Sequence, residues 1–167
     1  MVTPAGYIYR HLACADVSLL KDLLRVFGET FGEVDTYQHF VPTDDYLRRL
    51  LSKQHFIAVV AMNRAEVVGG LAAYELEKFE QDRREFYIYD LAVAASHRRR
   101  GVATGLIGEL RRIAAERNAY VIFVQADLED EAAIALYESL GTREMAYHFD
   151  IEVRPAVPQR GGTGRRR

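Results

Sequence analysis

One stretch of this chain restricts its fold more than any other. Residues 86–93 form an apolar, β-rich run, residues 102–118 place Val102, Leu106, Leu110, Ile113 and Ala114 three or four positions apart, and residues 119–126 return to an almost wholly apolar, β-branched or aromatic run. The outer two patterns belong to strands and the middle one to an amphipathic helix. Strand, helix and strand in this order predict a right-handed crossover that leaves the two strands parallel. The unbroken apolar character of residues 119–126 further predicts a strand covered on both faces. An α/β domain follows.

The rest of the chain extends that unit in both directions. Residues 7–14 alternate as a strand, and Leu19, Leu20, Leu23, Leu24 and Phe27 then fall at helical spacing behind a cap at Asp16 or Ser18, with Gly28 as the expected stop. Residues 32–42 have no clean period and read as a loop. Thr43 is expected to cap a short helix whose apolar face is Tyr46, Leu47, Leu50 and Leu51. Residues 55–62 and 67–76, joined by Asn63-Arg64-Ala65-Glu66, read as a hairpin, and a polar turn at 80–84 leads into strand 86–93, so three neighbouring strands are expected to be antiparallel. Beyond the crossover, a helix over residues 131–140 is stopped by Gly141, and residues 145–153 read as a closing strand.

A chain of 167 residues, 49% of them hydrophobic, suits one domain with a sizeable core. Its longest apolar runs fall far short of the roughly 20 residues that span a membrane, and no signal segment opens it, so a cytoplasmic protein is expected. The net charge of −2 conceals an uneven distribution. Residues 154–167 carry five of the 22 basic residues and none of the 24 acidic ones, which leaves residues 1–153 with 17 basic against 24 acidic, a balance of −7. The expected organisation is thus a domain over residues 1–153 and a basic, disordered tail over 154–167. An acidic body argues against a nucleic-acid groove and suits a cationic ligand. Cys14, the one cysteine, has no CxxC or His-rich neighbourhood, so no metal is expected and Cys14 reads as a small buried hydrophobe.

The strand-to-helix junction reads Arg98-Arg99-Arg100-Gly101-Val102-Ala103. The unpaired N–H groups and positive dipole end of a helix N-terminus accommodate a pyrophosphate; Gly101 lets the backbone approach closely and Ala103 keeps the next turn small. A phosphate-bearing ligand is predicted, with a basic surface helix start as the plainer reading of the same residues. In its context this segment resembles motif A of the GNAT acetyltransferases, Arg/Gln-x-x-Gly-x-Gly/Ala, which lies between the fourth strand and third helix. Ala133-Ile134-Ala135-Leu136-Tyr137-Glu138-Ser139-Leu140-Gly141 is similar to that family's A-x-x-L-Y-x-x-x-G, although Asp130 stands where the family often has Asn. The aminoglycoside 3-N-acetyltransferases are the closer resemblance. It is carried by residues 71–80 (LAAYELEKFE), 87–93 (YIYDLAV), 119–127 (AYVIFVQAD) and 148–151 (HFDI), and by Phe27-Gly28-x-x-Phe31-Gly32.

The resemblance implies the GNAT acyl-CoA N-acyltransferase fold, a mixed, mostly antiparallel sheet with splayed central parallel strands flanked by helices, in which residues 145–153 stand for the family's sixth and seventh strands. It implies acetyl-CoA as cosubstrate. Leu91, Ala92 and Val93 would hold the pantetheine arm through backbone groups, and Arg98, Arg99, Arg100, Gly101, Val102, Ala103 and Thr104 the pyrophosphate. The acceptor implied is an aminoglycoside, acetylated directly on the 3-amino group of the 2-deoxystreptamine ring, with antibiotic resistance as the outcome; the family also suggests a homodimer.

Amide formation requires a neutral amine, yet such an amine is mostly protonated near neutral pH, so a carboxylate, or a water held by one, is expected to take the proton. Asp90 is the expected base, turned to the cleft by a bulge; the alternative is a strand aspartate paired with an Arg. Tyr137 is implied as the acid for the departing thiolate, or else as a core tyrosine, and the Leu91 N–H as donor to the reacting carbonyl oxygen. Glu80, Asp127, Glu129 and Asp150 are expected at the cleft mouth as partners for ammonium groups, or as solvated surface acids. Tyr74 and Tyr120 read as core or cleft wall, and His97 as part of the loop before motif A. Two other readings remain: a GNAT enzyme for a different amine, such as a polyamine or a protein lysine or N-terminus, and a coenzyme A-binding module without catalysis.

Overall fold

The computed structural model describes residues 6–153. Five strands form one sheet in chain order: β1 (Tyr7–His11), β2 (Phe56–Asn63), β3 (Glu66–Glu77), β4 (Arg84–Val93) and β5 (Ala119–Val124). Neighbours are antiparallel from β1 to β4, and β4 and β5 run parallel, joined by the expected crossover. The helices are α1 (Val17–Phe31), α2 (Asp44–Leu51), α3 (Val102–Glu116) and α4 (Glu131–Glu138). Strand β2 shows how the layers form: Ile57, Val59 and Ala61 face the α3 side while Ala58 and Val60 face α1 and α2. With both faces covered its sequence is a continuous apolar run. Each fully buried Ile or Val there stabilises the fold by about 1.5–3 kcal/mol.

One local expectation holds for the expected reason, and two further contacts fix the helices. Thr43 caps α2, its Oγ1 accepting from the Tyr46 N–H at 3.3 Å. Asp130 caps α4 by accepting from the Ala133 N–H at 2.9 Å, which gives that residue a structural use independent of any ligand. Gly70 permits close packing of α1 on β3, since a Cβ there would lie 2.5 Å from Leu23 Cδ1 and 2.6 Å from the Val59 carbonyl oxygen.

Other expectations are corrected. Helix α1 runs through Gly28 and stops at Gly32, which takes the left-handed conformation (φ 73°) and donates its N–H to the Gly28 carbonyl. Asp16 precedes α1 without capping it; its carboxylate accepts from the Ala13 N–H and from Arg10. Cys14 is exposed rather than buried, because it sits in the tight turn closed by the Asp16 N–H on the Ala13 carbonyl. Strand β5 is the sheet edge: Ala119, Ile122 and Val124 pack toward α3, but Tyr120, Val121 and Phe123 are exposed, since α1 and α2 reach only as far as Ala92 on β4. Residues 145–153 form no strand. Met145, Tyr147, Phe149, Ile151 and Val153 are all at least 80% exposed; alternation specifies faces, but a strand also needs a hydrogen-bonding neighbour, and the described residues supply none. The expected basic tail, 154–167, lies outside the described residues. No helix among the described residues is long and apolar enough to cross a membrane.

Candidate active site

The site begins with a change of parity along β4. Phe86 and Ile88 enter the core beneath α3, but so do Leu91 and Val93, an odd-numbered pair. The switch is produced by a bulge: Ala72 pairs with Asp90 and Ala73 with Ile88, leaving Tyr89 as the extra residue. Unbulged, Asp90 would share the α3 face with Phe86 and Ile88. Bulged, it turns to the opposite face, beside Ala72 and Ala92, where Tyr37 reaches it, the Tyr37 hydroxyl donating to Asp90 Oδ1 at 3.3 Å. Burial is the largest influence on Asp90 and raises its pKa above the usual aspartate range; the Tyr37 hydrogen bond pulls the other way and the Glu33 carboxylate adds to the rise. Tyr37 itself is pushed up to about 12, first by burial and then by the Asp90 charge, so it remains a donor throughout the neutral range.

The same region of the sheet is open. Pairing between β4 and β5 covers only Arg84 to Ile88 against Ala119 to Val124, so from Tyr89 onward the β4 edge facing β5 has no partner strand among the described residues. The Ala94 N–H donates to the Val68 carbonyl on the β3 side at 2.8 Å. By strand alternation, the N–H groups of Leu91 and Val93 point toward the splayed side. Arg98 Nε donates to the Val93 carbonyl at 3.1 Å, which ties the Arg-rich loop to the strand end. Gly101 precedes α3 at φ 77° and Arg99 sits at φ 59°, both left-handed, and no side chain caps the helix. The first N–H groups of α3, on Val102, Ala103 and Thr104, therefore lie before the first intrahelical bond, which Gly105 makes to Gly101. His97 is paired with Tyr7, its Nδ1 lying 2.9 Å from the tyrosine hydroxyl.

Tyr137, on α4, packs against the α3-side core, and burial raises its pKa above the ordinary phenol value. It stays protonated at neutral pH. Asp90 and Tyr137 thus lie on opposite faces of the sheet, whose β4 and β5 strands are unpaired with each other beyond Ile88.

Of the acids expected around the cleft mouth, only Asp90 is drawn into this arrangement. Glu80 belongs to the β3–β4 hairpin turn, where it pairs with Arg83 at 2.9 Å and Lys78 at 3.7 Å, and the Arg83 hydrogen bond lowers its pKa. Asp90 lies six residues up β4 from Arg84, about 20 Å away at the rise of a strand. Asp127 and Glu129 are exposed in the segment between β5 and α4, and Asp150 is exposed and pairs with His148 at 3.1 Å. What surrounds Asp90 instead is aromatic. Tyr74 and Tyr89 meet edge to face at 6.1 Å, Tyr87 and Tyr89 at 5.9 Å, and Tyr87 stacks on Phe123 at 4.9 Å. Tyr120 stands apart from them, bonded to Glu85 beneath the Arg83 guanidinium. Tyr37 and Glu33 were not visible in sequence because they occupy the aperiodic segment, here a π-helical turn (Asp35–His39) and the residues before it. The sequence signal that corresponds to the bulge is the break from even to odd core positions between Ile88 and Leu91.

The Acetyltransferase (GNAT) family model matches residues 19–142. Among solved structures, an aminoglycoside acetyltransferase from an uncultured soil metagenomic sample is 55% identical, with a TM-score of 0.87 over 89% of this chain and 99% of the other. A second aminoglycoside acetyltransferase from an uncultured soil metagenomic sample, solved in complex with sisomicin, is 30% identical, with a TM-score of 0.82 over 89% of this chain and 97% of its own. Among curated proteins, N-acetyltransferase family 8 member 3 of Rattus norvegicus is 26% identical over 113 residues, 66% of this chain and 50% of the relative. The chain thus spans about half the length of that curated relative. Fold, splayed strands and a family match covering most of the sequence agree, and the chain belongs to the GNAT family of acetyltransferases.

Proposed function

We propose that this protein transfers the acetyl group of acetyl-CoA to the 3-amino group of the 2-deoxystreptamine ring of aminoglycoside antibiotics, and so confers resistance to them. The observation that carries the reading is the bulge at Tyr89, which turns Asp90 out of the core and sets it beside the unpaired edge of β4. The likeness to two aminoglycoside acetyltransferases supports the choice of acceptor.

The residues present fit acetyl-CoA. The uncapped N-terminus of α3 offers the N–H groups of Val102, Ala103 and Thr104, with Arg98, Arg99, Arg100 and Gly101 alongside, to a pyrophosphate. The free edge at Leu91, Ala92 and Val93 offers extended backbone to an amide-bearing arm. When bound, acetyl-CoA supplies an acyl thioester already activated toward amines. Asp90, a carboxylate made more basic by burial, takes a proton from the acceptor ammonium and leaves the neutral amine that can attack. The Leu91 N–H, pointing to the splayed side, donates to the carbonyl oxygen as negative charge builds on it. Tyr137, protonated and on the α3 side, gives its proton to the sulfur that leaves, and the second proton that the nitrogen sheds as the amide forms restores the phenol. The aromatic surface of Tyr74, Tyr87, Tyr89 and Phe123 presents ring faces to further ammonium groups, a contact of about 0.5–1 kcal/mol each where exposed.

Regiochemistry is tested by incubating the protein with gentamicin and acetyl-CoA labelled with ¹³C in the acetyl group, then locating the label by NMR. Label on the 3-nitrogen supports the assignment. Label on another nitrogen rejects the 3-N claim alone, and no labelled product rejects an aminoglycoside acceptor of this kind.

A further inference from the structure

The segment Phe27-Gly28-x-x-Phe31-Gly32 forms the last turn of α1 and its C-cap and takes no direct part in the chemistry above. Its surroundings explain it. Tyr37 packs edge-on to Phe27 at 5.8 Å and tilted on Phe31 at 5.8 Å, while the two phenylalanines stack on each other at 5.6 Å. Gly28 lies directly beneath the same turn: a Cβ on it would come within 2.9 Å of Gln38 Nε2 and 3.2 Å of Tyr37 Cβ. Gly32 ends the helix in the left-handed conformation, and the chain then folds back, with the Glu33 N–H on the Gly28 carbonyl and the Tyr37 N–H on the Glu33 carbonyl. Gln38 fastens the turn further through its amide on the Arg25 carbonyl at 3.4 Å. Glycine is disfavoured relative to alanine in a helix interior, so its presence at 28 is accounted for by the turn it admits. The outcome of this packing is one hydroxyl, Tyr37 Oη, directed at Asp90.

We infer that Tyr37 is the positioning residue for Asp90, and that Phe27, Gly28 and Phe31 form the seat that holds it there; the inference rests on the reading of Asp90 as the base. The groups facing Asp90 are Tyr37 and Glu33 from the turn after α1, Tyr74 from β3 and Tyr87 from β4. Among the described residues, Tyr37 alone donates a hydrogen bond to its carboxylate. A donor to the charged form favours that form, so removing the hydroxyl raises the pH at which Asp90 loses its proton.

The test uses Y37F, G28V, the double variant and D90N. In Y37F the acid limb of kcat/KM for gentamicin moves to higher pH and kcat falls about tenfold, with KM for acetyl-CoA unchanged. A ¹³C titration of the Asp90 side-chain carboxyl shows the same upward displacement without reference to turnover. G28V, which pushes the turn off the helix, reproduces the effect, and the double variant loses no more than the worse single one. A Y37F carboxyl titration that overlays the unsubstituted protein overturns the inference, even where D90N is inactive and the base reading stands. A D90N variant with full activity overturns the base reading and this inference with it.

Discussion

Gly105, one turn into α3, sets a direct contest between helix propensity and packing. Alanine is favoured over glycine in a helix interior by about 1 kcal/mol, so on propensity alone G105A should stabilise the protein. The space argues otherwise. A methyl at this position overlaps the hydroxyl and Cζ of Tyr9 on β1 and comes within 2.7 Å of Cε1, where carbon contacts settle at about 3.5–4 Å. Three atoms of one rigid ring are involved, and the ring lies between β1 and α3 against the core, so it has no flexible end to swing aside. Overpacking of this kind costs about 1–3 kcal/mol, and the upper end applies here. Subtracting the propensity gain leaves a net loss of about 2 kcal/mol, which for a domain of this size lowers Tm by about 4–8 °C. Thermal unfolding followed by circular dichroism reads it. Because the strain pushes α3 away from β1, KM for acetyl-CoA should rise as well. Combining G105A with Y9A should relieve most of the clash, so the two changes are far from additive. An unchanged or raised Tm in G105A would refute the reasoning, since it would show that the helix does not need a bare backbone at this contact.

Three further outcomes are expected. The Tyr9 hydroxyl is buried without a hydrogen-bond partner among the described residues, and burial raises its pKa, so Y9F should gain about 1 kcal/mol in urea unfolding; a loss of stability would show that the hydroxyl is satisfied. Glu75, 9% exposed, holds Arg84 at 3.1 Å and Arg117 at 2.5 Å, so E75A leaves two guanidiniums facing each other and should cost about 2 kcal/mol, less than a fully buried pair because both arginines reach solvent; a change within about 0.5 kcal/mol in the same assay would contradict this. Asp90 has a folded pKa above its unfolded one, so its contribution to stability is fully present below the unfolded value and is lost as pH rises through the folded value. The Tm advantage of D90N over the unsubstituted protein should accordingly be larger at pH 8 than at pH 4.5, and a difference that does not vary with pH would reject the burial argument.

What the sequence made legible was local. The crossover from β4 through α3 to β5 follows from a change of period within one stretch, and the Thr43 cap from one residue and its next turn. What it hid depended on distant partners. Gly28 resembles a helix stop until Tyr37 and Gln38 are placed above it, and only then does Gly32 emerge as the residue that ends α1. Glu80 looks available for a cation until the hairpin brings Arg83 and Lys78 to it. Residues 145–153 alternate as cleanly as any strand in the chain, yet pairing depends on an edge that alternation does not encode. The candidate site divides the same way: Asp90 and Tyr137 stand in segments that resemble family motifs, whereas Tyr37 reaches Asp90 across 53 positions of sequence and from a segment with no period.

The central claim is that the acceptor is an aminoglycoside amine. It is tested most directly by following thiol release from acetyl-CoA with gentamicin, spermidine and a lysine peptide as parallel acceptors. The account predicts rapid release with gentamicin and only background release with the other two. Release with spermidine or the peptide and none with gentamicin would contradict it, leaving the family and the fold in place and assigning the site to a different amine.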